Sequence, residues 1–573
     1  MKPIAKTTRY RGLLALVLVL AGAFAIPAAQ ATTRNPLDTS FGAGGKVTTS
    51  LSSGADGARA VAVQPDGKIV AAGSNPSSSE FGLVRYNPDG SLDSGFGSGG
   101  KVTTVTRGGG EADALVLQPD GKIVIGGAID SYTGEDFALA RYNPDGSLDT
   151  SFGANGIVTT DILGHNDVAT GLAVQPDGKI VAGGKANTGS SWDFALVRYQ
   201  TNGSIDPSFG TNGKVTTSLG SGDSVANALV GQPDGKLILA GYLGAAPNAE
   251  FALARYTPDG VLDPSFGTGG KVTTGIESSE GVYSAGLQPD GKIVVLGGTV
   301  GGAFYVALVR YDTDGKLDPT FGDGGIASGD EGVGHAVAVQ ANGKILVAGE
   351  RPGVSSNDFL LSRYDPDGSE DLTFGTDGQG GVATPIGSGN DAAQALALQP
   401  NGRIVVAGTT SVVPGHDDDL ALARYLGSTL AIAKSGSGSG TVTSTPAGIH
   451  CGSACSAPFA GGSVTLTAKP SAGSVFARWS GDCSGKGRCT LTVGTDRSVV
   501  AKFSALCVVP KLRGKTSPDA RRAIRQAHCS VGKVGGAYSP TVKRGRVISQ
   551  NPRPGTKRPA HAKVRLTLSL GPR

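Results

Sequence analysis

The chain has 573 residues, 92 of them glycine, and only 17% are charged, for a formal net charge of +4; roughly 25% charged is usual. The glycines do not fall at every third position, which excludes collagen. With 39% hydrophobic residues there is matter for several cores, but the one long apolar run, Leu13 to Ile26, is shorter than the ~20 residues of a spanning helix, which excludes a polytopic membrane protein.

Residues 1–31 read as a signal peptide: Lys2, Lys6, Arg9 and Arg11 precede the apolar run, and Ala29-Gln30-Ala31 is a small-x-small cleavage site. The mature chain is expected to start at Thr32 and, with no later apolar segment, to have no membrane span.

Internal repetition governs residues 32–428. Gln-Pro-Asp-Gly-Lys begins at Gln64, Gln118, Gln175, Gln232 and Gln288, and recurs altered at Gln340 and Gln399, with spacings of 54, 57, 57, 56, 52 and 59 residues. Arg-Tyr recurs at Arg85, Arg141, Arg198, Arg255, Arg310, Arg363 and Arg424. A Leu-Asp-x-Ser-Phe-Gly type of anchor places Phe at 41, 96, 152, 209, 266, 321 and 374, the last in the variant Glu370-Asp371-Leu372-Thr373-Phe374. Between anchors lie short β-branched or alternating runs, such as Ala60 to Val63, Lys68 to Ala71, Phe81 to Tyr86 and Lys101 to Thr104, punctuated by Asp-Gly and Gly-Gly turns. Each unit is predicted to be a four-stranded antiparallel sheet. Such a sheet buries too little surface alone, and radial closure leaves no long open edge. Phe41 and the strand Lys46 to Thr49 precede any complete unit, while the last unit ends at Tyr425 without its Phe-Gly partner, so the first strand is expected to complete the seventh blade. Residues 32–428 are therefore expected to form a seven-bladed β-propeller. On these three anchors the stretch resembles the delta-60 repeat family of bacterial exported proteins, which implies a propeller-like array and no particular ligand.

Uniform turns are framework and variable loops carry recognition. The Pro-Asp-Gly turns are expected on one rim. The loops after the Val-Thr-Thr strands and after the second strands vary, and fall together on the opposite face. Five residues before each anchor Gln stand Arg59, Asp113, Thr170, Asn227, Tyr283, His335 and Gln394, each followed by a small residue. These seven are the candidate ligand-binding ring around the channel mouth; solvated side chains with no ligand are the bland alternative. Tyr283 and His335 invite an acid–base reading, against which no carboxylate is identified to orient the imidazole. Asp312 to Gly315 and Asp365 to Gly368, with Asp318 and Asp371, have the oxygen-rich look of a Ca²⁺ loop but read as ordinary Asp-Gly turns. The acids before the third strands (Glu80, Asp136, Asp193, Glu250, Asp358, Asp419) recur as framework. No catalytic residue, metal or cofactor is assigned.

Residues 429–504 form a second module after Ser-Gly-Ser-Gly-Ser-Gly, with expected strands at Gly440 to Thr445, Ser463 to Ala468, Cys489 to Val493 and Ser498 to Phe503. Through Trp479-Ser480-Gly481-Asp482-Cys483 and Ala501-Lys502-Phe503 it resembles a bacterial Ig-like module of the divergent InlB B-repeat type. Cys451, Cys455, Cys483 and Cys489 suit a zinc site by count, but export favours disulfides; local pairs 451 with 455 and 483 with 489 are preferred among three possible pairings.

Residues 505–573 predict one helix over a small sheet: Ser517-Pro518 as its start, the stripe Ala520, Ala523, Ile524 and Ala527, and strands at Val547 to Ser549 and Val564 to Ser569. Val508-Val509-Pro510-Lys511-Leu512-x-Gly514-Lys515 and Val547-Ile548-Ser549-Gln550-x-Pro552-x-Pro554-Gly555 resemble a PASTA domain. The resemblance implies association with peptidoglycan, and a Cys507 to Cys529 disulfide would tie the first strand to the helix end.

Charge is segregated: 16 Lys and Arg against one acid in 505–573 (+15), 7 against 2 in 429–504 (+5), and 24 against 44 in 32–428 (−20). A basic tail seeks polyanions, and export argues for peptidoglycan or another anionic wall polymer rather than nucleic acid; docking on the chain's own acidic propeller is the alternative. The expected function is a noncatalytic, secreted or wall-associated binding protein whose propeller meets an unknown glycan or protein. The runner-up is an extracellular lyase or hydrolase working at the channel mouth.

Overall fold

A computed structural model describes residues 36–573, apart from loop residues 52–53, 76–79, 107–109, 133, 247–248, 277, 301–303, 354–355, 376–379, 412–417, 446–447, 452–454, 460–462 and 494–496. The expected signal peptide lies outside the described residues. The chain is mainly β: seven four-stranded antiparallel sheets form the blades of a propeller, followed by two small domains.

Blade one shows the plan, running Gly57–Val63, Ile69–Asn75, Glu80–Tyr86 and Lys101–Val105 from the channel outward. The seventh blade takes Asp391–Leu398, Arg403–Ser411 and Asp418–Leu426 from the end of the repeat and Lys46–Thr49 from its beginning, in the register Lys46↔Ala423 to Thr49↔Leu420. Leu37 bridges Tyr425 beside it, and the Asp38 carboxylate accepts from Nε of Arg424 (2.9 Å) and of Arg403 (2.7 Å). The N-terminal segment thus supplies both a strand and an anchor acid.

The anchors become a clasp repeated at each seam. Arg141 Nε reaches Asp149 Oδ2 at 2.8 Å, its guanidinium lies 4.4 Å above the Phe152 ring, and its Nη1 donates to the Thr201 carbonyl of the next blade. The same step runs from Arg198 to Pro258, from Arg255 to Thr313, and across the closure from Arg424 to Pro88. At the sixth blade the acceptor is the Gly427 carbonyl, where the chain leaves the ring (2.9 Å). Turn glycines pack the neighbouring blade from the other side. Gly203, at φ +87°, lies where a Cβ would stand 2.9 Å from the Phe152 ring. A tyrosine hydroxyl adds a cross-blade bond, as Tyr142 to Thr104 at 2.8 Å and Tyr425 to Thr384 at 2.8 Å.

The second domain is a two-sheet sandwich around Trp479, Phe503, Leu466 and Val499. Strands Ser428–Ser435, Ser456–Phe459 and Ser474–Gly481 add to the four expected ones, and disulfides join Cys451 to Cys455 and Cys483 to Cys489. The Ser-Gly run is a turn between two strands of this domain. The expected boundary at 504 falls inside one continuous strand, Arg497–Val508. Its first part pairs in parallel with Ser428–Ser435, and its last three residues pair with Lys557–Pro559 of the third domain. There the helix Ser517–Gln526 is capped by Thr516, not Ser517: the Thr516 hydroxyl accepts from the Asp519 amide, and Pro518 occupies the first turn, where its missing N–H costs nothing. Ala520 and Ile524 are buried against Val547, Val564 and Leu566, and a disulfide joins Cys507 to Cys529. Among the described residues no helix is long and apolar enough to cross a membrane.

Candidate functional site

The innermost strand of every blade carries a register shift at the same position, and that of the fifth blade a second one between Ser279 and Gly281. Opposite the second strand the pairing skips from Ala58 to Ala60, Ala112 to Ala114, Ala169 to Gly171, Ala226 to Ala228, Val282 to Ser284, Gly334 to Ala336 and Ala393 to Ala395. The skipped residues are Arg59, Asp113, Thr170, Asn227, Tyr283, His335 and Gln394. A bulge opposes two residues to one and re-aims the extra side chain. The residue after each bulge is small because seven strands converge: a Cβ on Gly171 would stand 2.7 Å from Leu229 of the next blade.

All seven bulge residues line one cavity of about 640 Å³ at the variable-loop end of the channel. They divide it chemically. On one side Arg59 pairs with Asp113 (3.1 Å) and Glu111 (3.5 Å), and Glu135 and Lys185 complete a charged arc. Burial pushes the Asp113 carboxyl above its ordinary value, against the pull of Arg59. The opposite arc carries Asn227, Tyr283, His335 and Gln394. Thr170 and Asn227 are tied to the next blade: the Thr170 hydroxyl donates to the Ala226 carbonyl (3.0 Å) and Asn227 Nδ2 to that of Val282 (2.7 Å). The Tyr283 and His335 rings meet edge to face at 6.1 Å.

Four residues around the mouth escape sequence reasoning. Glu111 is two residues from Asp113 on the same strand, so alternation points to it. Lys185 and Glu350 stand at one equivalent position of the second strand, ten residues after Gln175 and Gln340, where the other blades carry uncharged residues, and Glu135 opens a third strand. Glu350 matters most, because its carboxylate lies 3.7 Å from His335 Nε2 and also accepts from Asn357 Nδ2 at 2.9 Å. The nearness of His335, ahead of the opposing effect of burial, leaves the Glu350 carboxyl below its ordinary value. The imidazole therefore does have a carboxylate beside it.

The Asp-Gly loops spend their oxygens internally. Asp312 Oδ1 accepts from the amides of Asp314 and Lys316, both at 2.9 Å, while Asp318 and Asp371 belong to the Arg clasps.

The family described as a domain of unknown function (DUF5122) beta-propeller matches seven segments, 64–96, 118–152, 175–209, 232–266, 288–321, 340–374 and 399–427. The divergent InlB B-repeat domain matches 430–506 and the PASTA domain 508–570. No curated protein matches the chain. Among solved structures it is similar to a catalytically inactive virginiamycin B lyase from Staphylococcus aureus bound to quinupristin (12% identity, TM-score 0.42, covering 66% of this chain and 98% of that one). It is also similar to the polysaccharide lyase Uly1 (11%, 0.39, 64% and 89%). At these values nothing about activity passes from either protein to this chain.

Proposed function

We propose that this chain, built from seven DUF5122 propeller repeats, a divergent InlB B-repeat domain and a PASTA domain, is a noncatalytic binding protein of the cell envelope. The observation that carries the reading is the bulge at one register position in all seven blades, which turns seven different polar side chains into one cavity on an otherwise repeated frame. A structural role alone would leave that position as uniform as its neighbours. The cavity joins hydrogen-bonding groups, an aromatic ring and a charged arc, the combination that holds a polar, hydroxyl-rich ligand such as an oligosaccharide. The PASTA domain, at +15, supports contact with peptidoglycan or another anionic wall polymer, and three disulfides support an oxidising, extracellular setting.

The full chain is expected to bind members of a glycan array, with Asn227→Ala and Arg59→Ala each weakening the same hits at least tenfold. It is also expected to pellet with peptidoglycan sacculi in low salt and to be released as salt rises. Failure to pellet even in low salt removes the wall contact, and array binding untouched by both substitutions removes the cavity.

One observation favours a second reading, an acid–base lyase or hydrolase: the Tyr283, His335 and Glu350 set at the same mouth. Turnover of a glycan or lactone substrate, abolished by His335→Ala, would establish it in place of the first.

A further inference from the structure

At the seam between the second and third blades, apart from the channel mouth, three carboxylates converge. Asp136 opens the third strand's core-facing run, Asp161 follows the outermost strand Ile157–Thr160, and Asp167 begins the innermost strand of the next blade. One oxygen of each lies within 4.8 Å of the others. Asp167 is fully buried and Asp136 is 8% exposed. Each of these two has an Oδ1 atom that is buried and accepts no hydrogen bond. Asp167 Oδ2 is held by the Ile162 amide at 2.6 Å, and Asp161 Oδ1 by the Gly164 amide.

The other seams show what this position needs when no ion is involved. The same loop amide is received by Asp56 Oδ2 (from Leu51), Ser224 Oγ (from Leu219) and Asp391 Oδ2 (from Ile386), which makes these the counterparts of Asp167. Ser50, Ser218 and Pro385 then stand where Asp161 does, and all are uncharged. At the seventh blade the Oδ1 of Asp391 is satisfied by the Thr410 hydroxyl. The counterpart of Thr410 across the strand pair at Asp167 is Ala186, which has no donor to offer. This seam therefore gains a carboxylate and lacks the hydroxyl that quiets one elsewhere. Lys214 is the nearby cation, with Nζ 2.6 Å from the Asp161 carbonyl, so three negative charges against one positive leave two in excess.

We infer that Asp136, Asp161 and Asp167 form a calcium site that pins the second blade to the third. Hard oxygen ligands select a hard cation. Calcium holds its oxygens at about 2.3–2.6 Å, so ligand atoms up to nearly 5 Å apart share one ion, whereas magnesium at about 2.0–2.1 Å needs a tighter set. Asp161 is exposed, which leaves room for water to complete the shell.

The test is calorimetric titration of the full chain, stripped with a chelator, with CaCl₂ at pH 7.5. One equivalent of calcium is expected to bind with saturation below about 1 mM, the range of extracellular calcium modules. Asp161→Ser copies Ser50 and Ser218 of the sister seams and so keeps the fold; it is expected to weaken uptake at least tenfold with an unchanged circular dichroism spectrum. Uptake that is absent at millimolar calcium, unchanged in Asp161→Ser, or equalled by MgCl₂ overturns the assignment.

Discussion

Gly203 and Gly269 separate two uses of glycine. Both have positive φ, +87° and +62°, but a Cβ on Gly203 would enter the Phe152 ring, while around Gly269 nothing lies within 4 Å. Gly269→Ala should cost about 1 kcal/mol in backbone strain alone. Gly203→Ala should cost roughly 2–4 kcal/mol, because overpacking is added, and the difference reads directly as a larger fall in denaturation midpoint. Tyr142→Phe should cost about 1 kcal/mol by the same measurement, because the hydroxyl that donates to Thr104 is removed. At this scale the sequence is informative wherever a count repeats. The ring from Arg59 to Gln394 emerges by counting back from the Gln anchor. The bulge that aims it is not visible there, because a strand's period says which residues alternate and not where pairing slips. Glu350 stays hidden for a related reason: it reaches His335 across a strand pair, from a blade position whose counterparts are not acidic.

The clasp carboxylates are all shifted in one direction, downward. Burial by itself would raise the Asp149 carboxyl, but the Ser151 hydroxyl and amide, Arg141 and Lys122 outweigh it and hold it at about 2; Asp371, with Arg363, Lys344 and Thr373, is also held at about 2. A carboxyl lower in the fold than in the unfolded chain contributes fully above its ordinary value near 4 and loses that contribution as pH falls toward 2. The melting temperature of the chain should therefore be flat in this respect above about pH 5 and fall steeply between about pH 4 and 2. Arg141→Met keeps the stem over Phe152 but leaves the buried Asp149 with Lys122 as its remaining counter-charge, and should cost about 1.5–3 kcal/mol; pairing it with Asp149→Asn should recover part of the loss in a double-mutant cycle. The strands and turns of this unit are legible because three anchors recur seven times. In the C-terminal domain, the strand Ser530–Ala537 is not expected from sequence, since its Gly-rich run buries no residue fully and shows no alternation.

Closure is the property of the whole molecule that most depends on sequence order. Removing residues 32–49 takes away the outermost strand of the seventh blade, the Asp38 partner of Arg424 and Arg403, and the Phe41 ring beneath Arg424. The truncated chain should expose the edge of Asp418–Leu426 and elute as larger species than the intact chain in gel filtration, with a peptide of residues 36–49 reversing the shift. Seven sectors and their closure can be read from where the anchors begin and end. The seam chemistry around Asp167 cannot, because the residues that isolate its carboxylate are distant in sequence.

The strand shared by the second and third domains has a mechanical consequence. The chain enters the sandwich at the N-terminus of Ser428–Ser435 and leaves it at the C-terminus of Arg497–Val508, and these strands run parallel, paired from Leu430↔Arg497 to Ser435↔Lys502. A pull on the two ends of this domain would load that ladder in shear, all its bonds together, rather than unzip them singly.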